Sequence, residues 1–318
     1  MVMIFPTTAL SSNLASKYGY EEWLVSRFLK YIPDVKNFLA KMEKPPTQYI
    51  RVNTLKTHKE DLVGRLEAKG FKLRNTDLPE VLAVDEAPLA TGATTEYMLG
   101  QYYVQDLGSC VAVDAMDVEH DQTVLDIGAA PGGKTTFMAQ RMKNSGAIIA
   151  LEPNHKRARS LSFNLTRCGV WNTSILIRDG SDADKFTRKF DRVLLDAPCS
   201  CEGVIAKDPT RKTSHTPDDV DYCCAIQEKL IEAAASSVKP SGVLVYATCS
   251  FAPEENEMVV DSLLQKFPNI TIEPTRFGSK GLTKFGHLSF NAKVKNAQRL
   301  YPHLHDTTGF FIARLRVN

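Results

Sequence analysis

Apolar residues recur along this chain in two rhythms, and the change from one to the other divides it. Between residues 20 and 32, YEEWLVSRFLKYI places Trp23, Leu24, Phe28 and Ile32 at helical spacing. TQYIRVNTL (47–55) then reads as a strand, and THKEDLVGRLEAKGF (57–71) as a helix stopped by Gly70. EVLAV (80–84) is a short strand. This order predicts a small α+β module over residues 1–100, suited to docking a substrate, with the loop-like EAPLATGATTEYMLG as its boundary. Beyond Gln105 the pattern becomes a regular alternation. Helices are expected at 109–116, 132–142, 155–169, within 217–242 and at 255–267. Strands are expected at 123–128, 147–152, 174–179, 190–196, 243–248, 269–274 and 309–315. Such alternation predicts an α/β fold, a doubly wound and mainly parallel seven-stranded sheet over residues 101–318. The last two strands, with no helix between them, are expected to make an antiparallel edge. Ligands of such sheets sit at the carboxyl ends of the strands.

Composition adds limits. A chain of 318 residues is long enough for a main domain and a smaller one. No apolar run approaches the roughly 20 residues of a membrane helix, and MVMIFPTTAL lacks the basic flank of a secretory signal. Seven irregularly spaced cysteines argue against a disulfide scaffold, so a reducing, cytoplasmic setting is expected. There is no Cys-x-x-Cys pair, and Cys199-x-Cys201 and Cys223-Cys224 are poor ligand spacings, so no metal is expected. The net charge of +2 says little, but its distribution says more. Arg276, Lys280, Lys284, Lys293, Lys295 and Arg299 occur without an intervening acid, interleaved with Phe277, Phe285, Phe290 and Tyr301. Such a stretch suits RNA phosphates and bases, or a solvated loop.

DIGAAPGGKTT lies between the first strand of the alternating region and its helix. Gly128 to Thr135 fits the phosphate-loop pattern G-x-x-x-x-G-K-T, which makes a nucleotide hydrolase a serious reading. Asp126 counts against it, because a carboxylate two residues before the loop repels a triphosphate and suits a cationic centre. Glu152 ends the next strand, where an acid accepts from ribose hydroxyls. Pro131 among small residues stiffens a loop that approaches a small ligand closely. These features describe a pocket for S-adenosylmethionine. Its candidate residues are Gly128, Ala129, Ala130, Pro131, Gly132, Gly133 and Lys134, with Glu152 on the ribose. Asp179 is the candidate for the adenine amino group, or else a turn residue. Arg157 either braces the loop or faces solvent.

Two strands end on thiols: VLLDAPCSCEG carries Cys199 and VYATCSFAPEENE carries Cys249. A lone cysteine is more often a small buried hydrophobe. Here, however, the motifs LDIGAAPGGKT, DAPCSCEG and VYATCSFAPEENE occur in this order, with RVNTLK, YYVQDLGS and YPHLHDTTGFFIARL around them. Together they resemble the RNA cytosine-5 methyltransferases of the NOP/Sun family, in a compact form of archaeal or bacterial type, over nearly the whole chain. Gly128 departs from the many relatives with Cys there. Cys201 departs from the TGxG that often follows the first thiol, and is read as a bystander. No further RNA-binding domain is expected beyond the final strand.

The resemblance implies transfer of a methyl group from S-adenosylmethionine to carbon 5 of a cytosine in RNA, tRNA rather than rRNA. It implies that Cys249 attacks carbon 6 and that Cys199 acts as a base or releases the product. Asp196 is the candidate for the ring nitrogen and exocyclic amine, besides lining the cofactor pocket, and Lys134 is the candidate for helping Cys249 ionise. The partner is RNA, with no membrane, and the chain is expected to be a monomer. His303 and His305 are expected to be structural or to face RNA. A hydrolase of the phosphate-loop type and a catalytically silent RNA-binding assembly factor remain as alternatives.

Overall fold

The computed structural model describes residues 2–318 and divides the chain into two compact units. One comprises Thr47–Asp196, Ala233–Val245 and the last two residues. Its parallel strands lie in the order Phe190–Asp196, Thr123–Ile127, Ala147–Leu151, Thr173–Leu176. The Val238–Thr248 strand follows Phe190–Asp196 on its other side. Strand order therefore reverses beside Thr123–Ile127, and the loops after this strand and after Phe190–Asp196 open at the switch point where such sheets bind ligands. Val124, Leu125, Ile127, Val193, Leu194 and Leu195 are buried, as continuous apolar strands between helices require. The helices are Leu107–Met116, Gly133–Arg141 and His155–Cys168. Gly169 at φ 75 closes the last of these in the left-handed conformation.

The same unit holds an antiparallel sheet in the order Lys72–Asn75, Val81–Glu86, Gln48–Val52, Tyr102–Val104. The Lys59–Glu67 helix contributes Leu62 and Leu66 to a core with Ile50, Val52, Phe71, Leu82 and Tyr102. Arg51 of the RVNTLK motif is wholly buried. It donates to Gln105 (2.9 Å), to Thr136 (2.8 Å) and to Gln140, so this small sheet is pinned to the Gly133–Arg141 helix.

The other unit comprises Met1–Pro46, Ala197–Glu232 and Tyr246–Arg316. Three helices, Ala9–Tyr18, Glu22–Tyr31 and Val35–Met42, put Leu14, Leu24, Phe28, Phe38 and Leu39 into a core with Ile205, Phe251, Phe285 and Tyr301. The long Pro217–Ser236 helix belongs mainly to this unit, and the Val259–Lys266 helix lies wholly within it. Ile270–Glu273 pairs with Phe310–Val317. Two short strands add to the seven expected: Ser279–Lys280 and Gln298–Leu300, joined antiparallel to each other and, through the second, to Phe310–Val317. Strands of two and three residues are too short to show an alternating pattern.

The basic stretch is not uniform. Lys280, Lys284, Lys293 and Lys295 are exposed, but Arg299 is buried and ion-paired, and Phe285 and Tyr301 belong to the core. Those two aromatics are therefore unavailable for stacking on bases. His303 contacts the carbonyl of Pro33, 270 positions earlier, at 2.8 Å, and His305 accepts from the nearby Tyr301 amide at 2.8 Å, so both have structural partners. Among the described residues no helix is long and apolar enough to cross a membrane.

Candidate active site

The glycine loop and the thiols lie in different units, and each is built from its own surroundings. In the first, the Thr123–Ile127 strand ends at Asp126 and Ile127, and the chain turns through Gly128 at φ 80 into the Gly133–Arg141 helix. A Cβ at Gly128 would lie 2.5 Å from the Asp196 carbonyl oxygen, so any larger residue forces the backbone to move. This gives the departure from Cys at that position a steric reason within this chain.

Asp126 is fully buried under the loop. Its Oδ2 accepts from the Thr135 hydroxyl at 2.6 Å, while Oδ1 has no hydrogen-bond partner. Burial raises the Asp126 carboxyl to about 7, with Thr135 and Lys134 opposing and Asp196 adding to the rise. Lys134 Nζ donates to Asp196 Oδ2 at 2.7 Å. In a phosphate loop that ammonium would serve phosphoryl oxygens; here it meets a carboxylate. Glu152 is also fully buried. Its Oε1 accepts from the Asn154 amide at 3.0 Å, and Oε2 accepts no hydrogen bond. Arg157 Nη1 stands 3.5 Å from that oxygen, and Nη2 donates to the Ala130 carbonyl at 2.8 Å, so this side chain spans loop and carboxylate. Asp179 is exposed and accepts from the Ser181 amide at 2.8 Å, the geometry of a turn cap, which holds its carboxyl below the usual range.

A cleft of about 170 Å³ opens over the loop. It is lined by Gly128, Ala129, Ala130, Pro131, Gly133, Lys134 and Asp196, and by Tyr103, Val104, Gln105, Asp106 and Ser109. Asp126, Gly132, Glu152, Arg157 and Asp179 are not on its wall. The second group of wall residues went unread as site residues, although YYVQDLGS carries them; they stand where one sequence rhythm gives way to the other. Buried carboxylate oxygens without donors, at the end of two adjacent strands, fit a ligand bearing hydroxyls and a cationic group.

In the other unit three sulfurs converge. Cys199 and Cys249 lie 3.1 Å apart, Cys249 and Cys201 3.5 Å, and Cys199 and Cys201 3.9 Å. All seven cysteines are thiols, and these three are partly exposed. Hydrogen bonds toward Cys201 from Cys199 and Cys249, with Arg211 and His215 nearby, lower the Cys201 thiol; the same bonds, together with burial, raise Cys199. Cys110 and Cys168 are buried in helices, as packing residues are. Cys201 itself has φ 62. An L-residue in this left-handed region costs on the order of 1–2 kcal/mol.

Side chains hold the thiol loops. Glu255 is fully buried and accepts from the Ser200 amide (2.9 Å), the Ser200 hydroxyl, the Ser250 hydroxyl (2.7 Å) and Gln227 Nε2 (2.9 Å). Ser200 stands between Cys199 and Cys201, and Ser250 follows Cys249, so a single carboxylate ties both loops. Burial raises Glu255 to about 7 against the pull of these donors. Gly203 brings the chains closer still: its amide donates to the Cys249 carbonyl at 2.8 Å, and a Cβ there would lie 2.7 Å from that oxygen. Burial alone would lower the His215 imidazole, but the buried Glu202 carboxylate, 3.1 Å away, raises it.

The neighbours of Glu255 are buried too. Glu254 pairs with Arg27 at 2.7 Å, and Asn256 accepts from Thr248 and donates to the Ser250 carbonyl. Glu257 accepts from Arg299 Nε at 2.6 Å. None of these was singled out in the sequence. Their one signal is acids packed against an apolar run, which also describes an ordinary exposed helix start.

Residues 113–316 match the family described as 16S rRNA methyltransferase RsmB/F, and residues 20–89 match its ferredoxin-like domain. The chain is 40% identical over 317 residues to the 28S rRNA (cytosine-C(5))-methyltransferase of Mus musculus, covering 96% of this chain and 40% of that protein. It is 37% identical over 298 residues to the tRNA (cytosine(49)-C(5))-methyltransferase of Pyrococcus abyssi, covering 92% of this chain and 95% of that one. The crystal structure of a methyltransferase homolog protein from Pyrococcus horikoshii superposes with a TM-score of 0.89 at 35% identity, covering 98% of this chain and all of that one. The chain spans about half or less of the length of its first curated relatives, all of them eukaryotic. With the family match over most of its length and the paired thiols and glycine loop in place, this chain belongs to the RsmB/F family, the methyltransferases of NOP/Sun type.

Proposed function

We propose that the protein transfers a methyl group from S-adenosylmethionine to carbon 5 of a cytosine in RNA through a covalent bond between Cys249 and carbon 6. The observation that carries this reading is the 3.1 Å approach of Cys199 and Cys249. Carbon 5 of cytosine is a poor nucleophile. A thiolate adding to carbon 6 turns the ring into an enamine, so one hard step becomes two easier ones. S-adenosylmethionine supplies the electrophilic methyl group. Cys249 forms the bond to carbon 6, and Asp196 holds a proton at ring nitrogen 3 and accepts from the exocyclic amine. Cys199 takes the carbon 5 proton, after which the bond to Cys249 breaks and the modified base leaves. Lys134, bound to Asp196, keeps that carboxylate oriented and adds positive charge to the site. Glu152 and Asp126 serve the ribose and the cationic tail, Arg157 braces the loop, and Asp179 serves the adenine.

Residues 1–100 form an RNA-docking domain and residues 101–318 the methyltransferase domain in this reading. The substrate is tRNA rather than rRNA, supported by the near-complete coverage of the Pyrococcus abyssi tRNA enzyme. The base must leave its stack to be reached, which favours loops and weakly paired positions. The protein acts as a monomer in the reducing cytoplasm, where its thiols persist.

A denaturing gel after incubation with RNA and S-adenosylmethionine tests the thiol roles. Cys199→Ala is expected to accumulate a protein–RNA adduct, Cys249→Ala to give neither adduct nor methylation, and the double variant to behave like Cys249→Ala. An adduct with Cys249→Ala alone reverses the two roles. Active single variants without any adduct refute the covalent mechanism.

A further inference from the structure

We propose that Cys199, Cys201 and Cys249 form a three-thiolate site for one soft divalent cation, zinc by its chemistry, and that a bound ion switches the thiols off. The spacing within Cys199-x-Cys201 makes no ligand pair on its own; the third sulfur comes from Cys249, 48 residues along the chain from Cys201. The three ligand atoms all lie within 4.8 Å of one another. Zinc–sulfur bonds of about 2.3 Å at tetrahedral angles set sulfur–sulfur distances of roughly 3.8 Å. Two of the observed separations, 3.5 and 3.9 Å, already bracket that distance. The third, 3.1 Å, has to open by under about 1 Å.

The sulfurs are partly exposed, so an ion can reach them and a fourth position stays open to water. The loops need no rebuilding, because Glu255 already holds Ser200 and Ser250 beside the ligands. Arg211, donating to the Ser200 carbonyl at 3.1 Å, offsets part of the charge of three thiolates. Cys201 makes the site. Without it two sulfurs remain, too few for a tight zinc complex. Its side chain is held on a left-handed backbone that glycine would adopt without strain, with its sulfur 3.2 Å from the Cys199 carbonyl.

Each thiol releases its proton on ligation, so binding tightens as pH rises. The binding half of the proposal is independent of what the protein does. The blocking half rests on the reading of Cys249 as nucleophile, because a sulfur bound to zinc is no longer available to carbon 6.

The test is a cobalt titration of the reduced, metal-stripped full-length chain. One equivalent of Co2+ is expected to produce a thiolate-to-cobalt charge-transfer absorption that Zn2+ then abolishes. Cys201→Ser and Cys201→Gly are each expected to weaken binding at least about tenfold. The glycine variant suits the backbone at that position, so a folding defect does not obscure the result. No such absorption in the wild type, or unchanged affinity in both variants, overturns the site. In methylation assays Zn2+ is expected to inhibit the wild type, and Cys201→Gly to keep its basal rate while needing about tenfold more zinc for the same inhibition. Tight zinc binding without inhibition overturns the blocking half. Cobalt absorption in a protein that methylates no RNA leaves the metal site standing and refutes the functional reading instead.

Discussion

The glycine loop and the thiol loops each rest on a buried carboxylate raised to about 7, but they use it differently. Glu255 receives four donors from Ser200, Ser250 and Gln227, and both of its oxygens are engaged. Asp126 receives one bond from Thr135 and keeps Oδ1 without a partner. The first arrangement is complete within the protein and serves rigidity: two strand ends must present sulfurs at a fixed separation. The second is incomplete. Desolvating a carboxylate and leaving an acceptor unmet is costly, and a cationic ligand bound there would recover that cost. A satisfied carboxylate fixes the two thiol loops, whereas in the proposed function the unsatisfied one would meet the charge of the methyl donor.

The sharpest way to break this comparison is to remove the satisfied carboxylate. Glu255→Ala strands several buried donors and is expected to lower unfolding stability by about 3 kcal/mol or more, read by denaturant titration. Asp126→Ala, with one bond to lose, is expected to cost clearly less. Equal losses would show that the two carboxylates do the same work.

The next effect belongs to the ligand. Glu152→Ala is expected to weaken S-adenosylmethionine binding by about 1–3 kcal/mol in calorimetry, the scale of a lost charged hydrogen bond. Glu255→Gln is expected to leave that affinity unchanged. Unchanged affinity in folded Glu152→Ala removes the ribose assignment.

A pH series sharpens the contrast further. Glu255 ordinarily titrates near 4.5 and in the fold near 7. Between these values the unfolded chain has released a proton that the folded chain still holds. This group's contribution to stability is therefore complete below about 4.5, falls as pH rises towards about 7, and is level above that. Glu255→Gln lacks this loss, so the stability advantage of the wild type over it should shrink across the window. A difference constant with pH would mean that Glu255 titrates normally in the fold.

The smallest effect is expected outside both regions. Replacing Lys280, Lys284, Lys293 and Lys295 with Gln should flatten the salt dependence of RNA binding, by up to about 0.7–0.9 units of slope for each lysine that pairs with a phosphate. An unaltered slope makes that stretch a solvated cover.

How far the sequence could be read follows the same division. The glycine loop was legible because its residues are contiguous and their types are rare in combination. The thiols were legible because each ends an apolar strand. Glu255 was not, since a polar residue ahead of an apolar run reads as solvent-facing and burial is decided by partners elsewhere in the chain. Arg299 was misread for the same reason: a cation in a basic run looks like a phosphate ligand until Glu257 is found beside it. The helices Ala9–Tyr18 and Val35–Met42 escaped notice because the first is rich in serine and the second begins at Asp34, with φ 44, directly after a proline. The serines leave little periodic signal in the first, but Val35, Phe38, Leu39 and Met42 do recur at helical spacing in the second, so only its two-turn length and abrupt start after Pro33 hid it.

The four consecutive polar residues Glu254, Glu255, Asn256 and Glu257 carry one more consequence, for the order in which the chain can settle. Glu254 needs Arg27, 227 positions earlier, and Glu257 needs Arg299, 42 positions later. During synthesis Arg27 is already waiting when this segment emerges, but Glu257 has no counter-charge until Arg299 follows. Until then its carboxylate stays hydrated and the segment cannot close over its core. The thiol-bearing half is thus a late structure by construction. A nascent chain halted before Arg299 should hold its glycine-loop unit folded, with Cys110 and Cys168 protected, and leave Cys224, buried in the complete fold, open to alkylation.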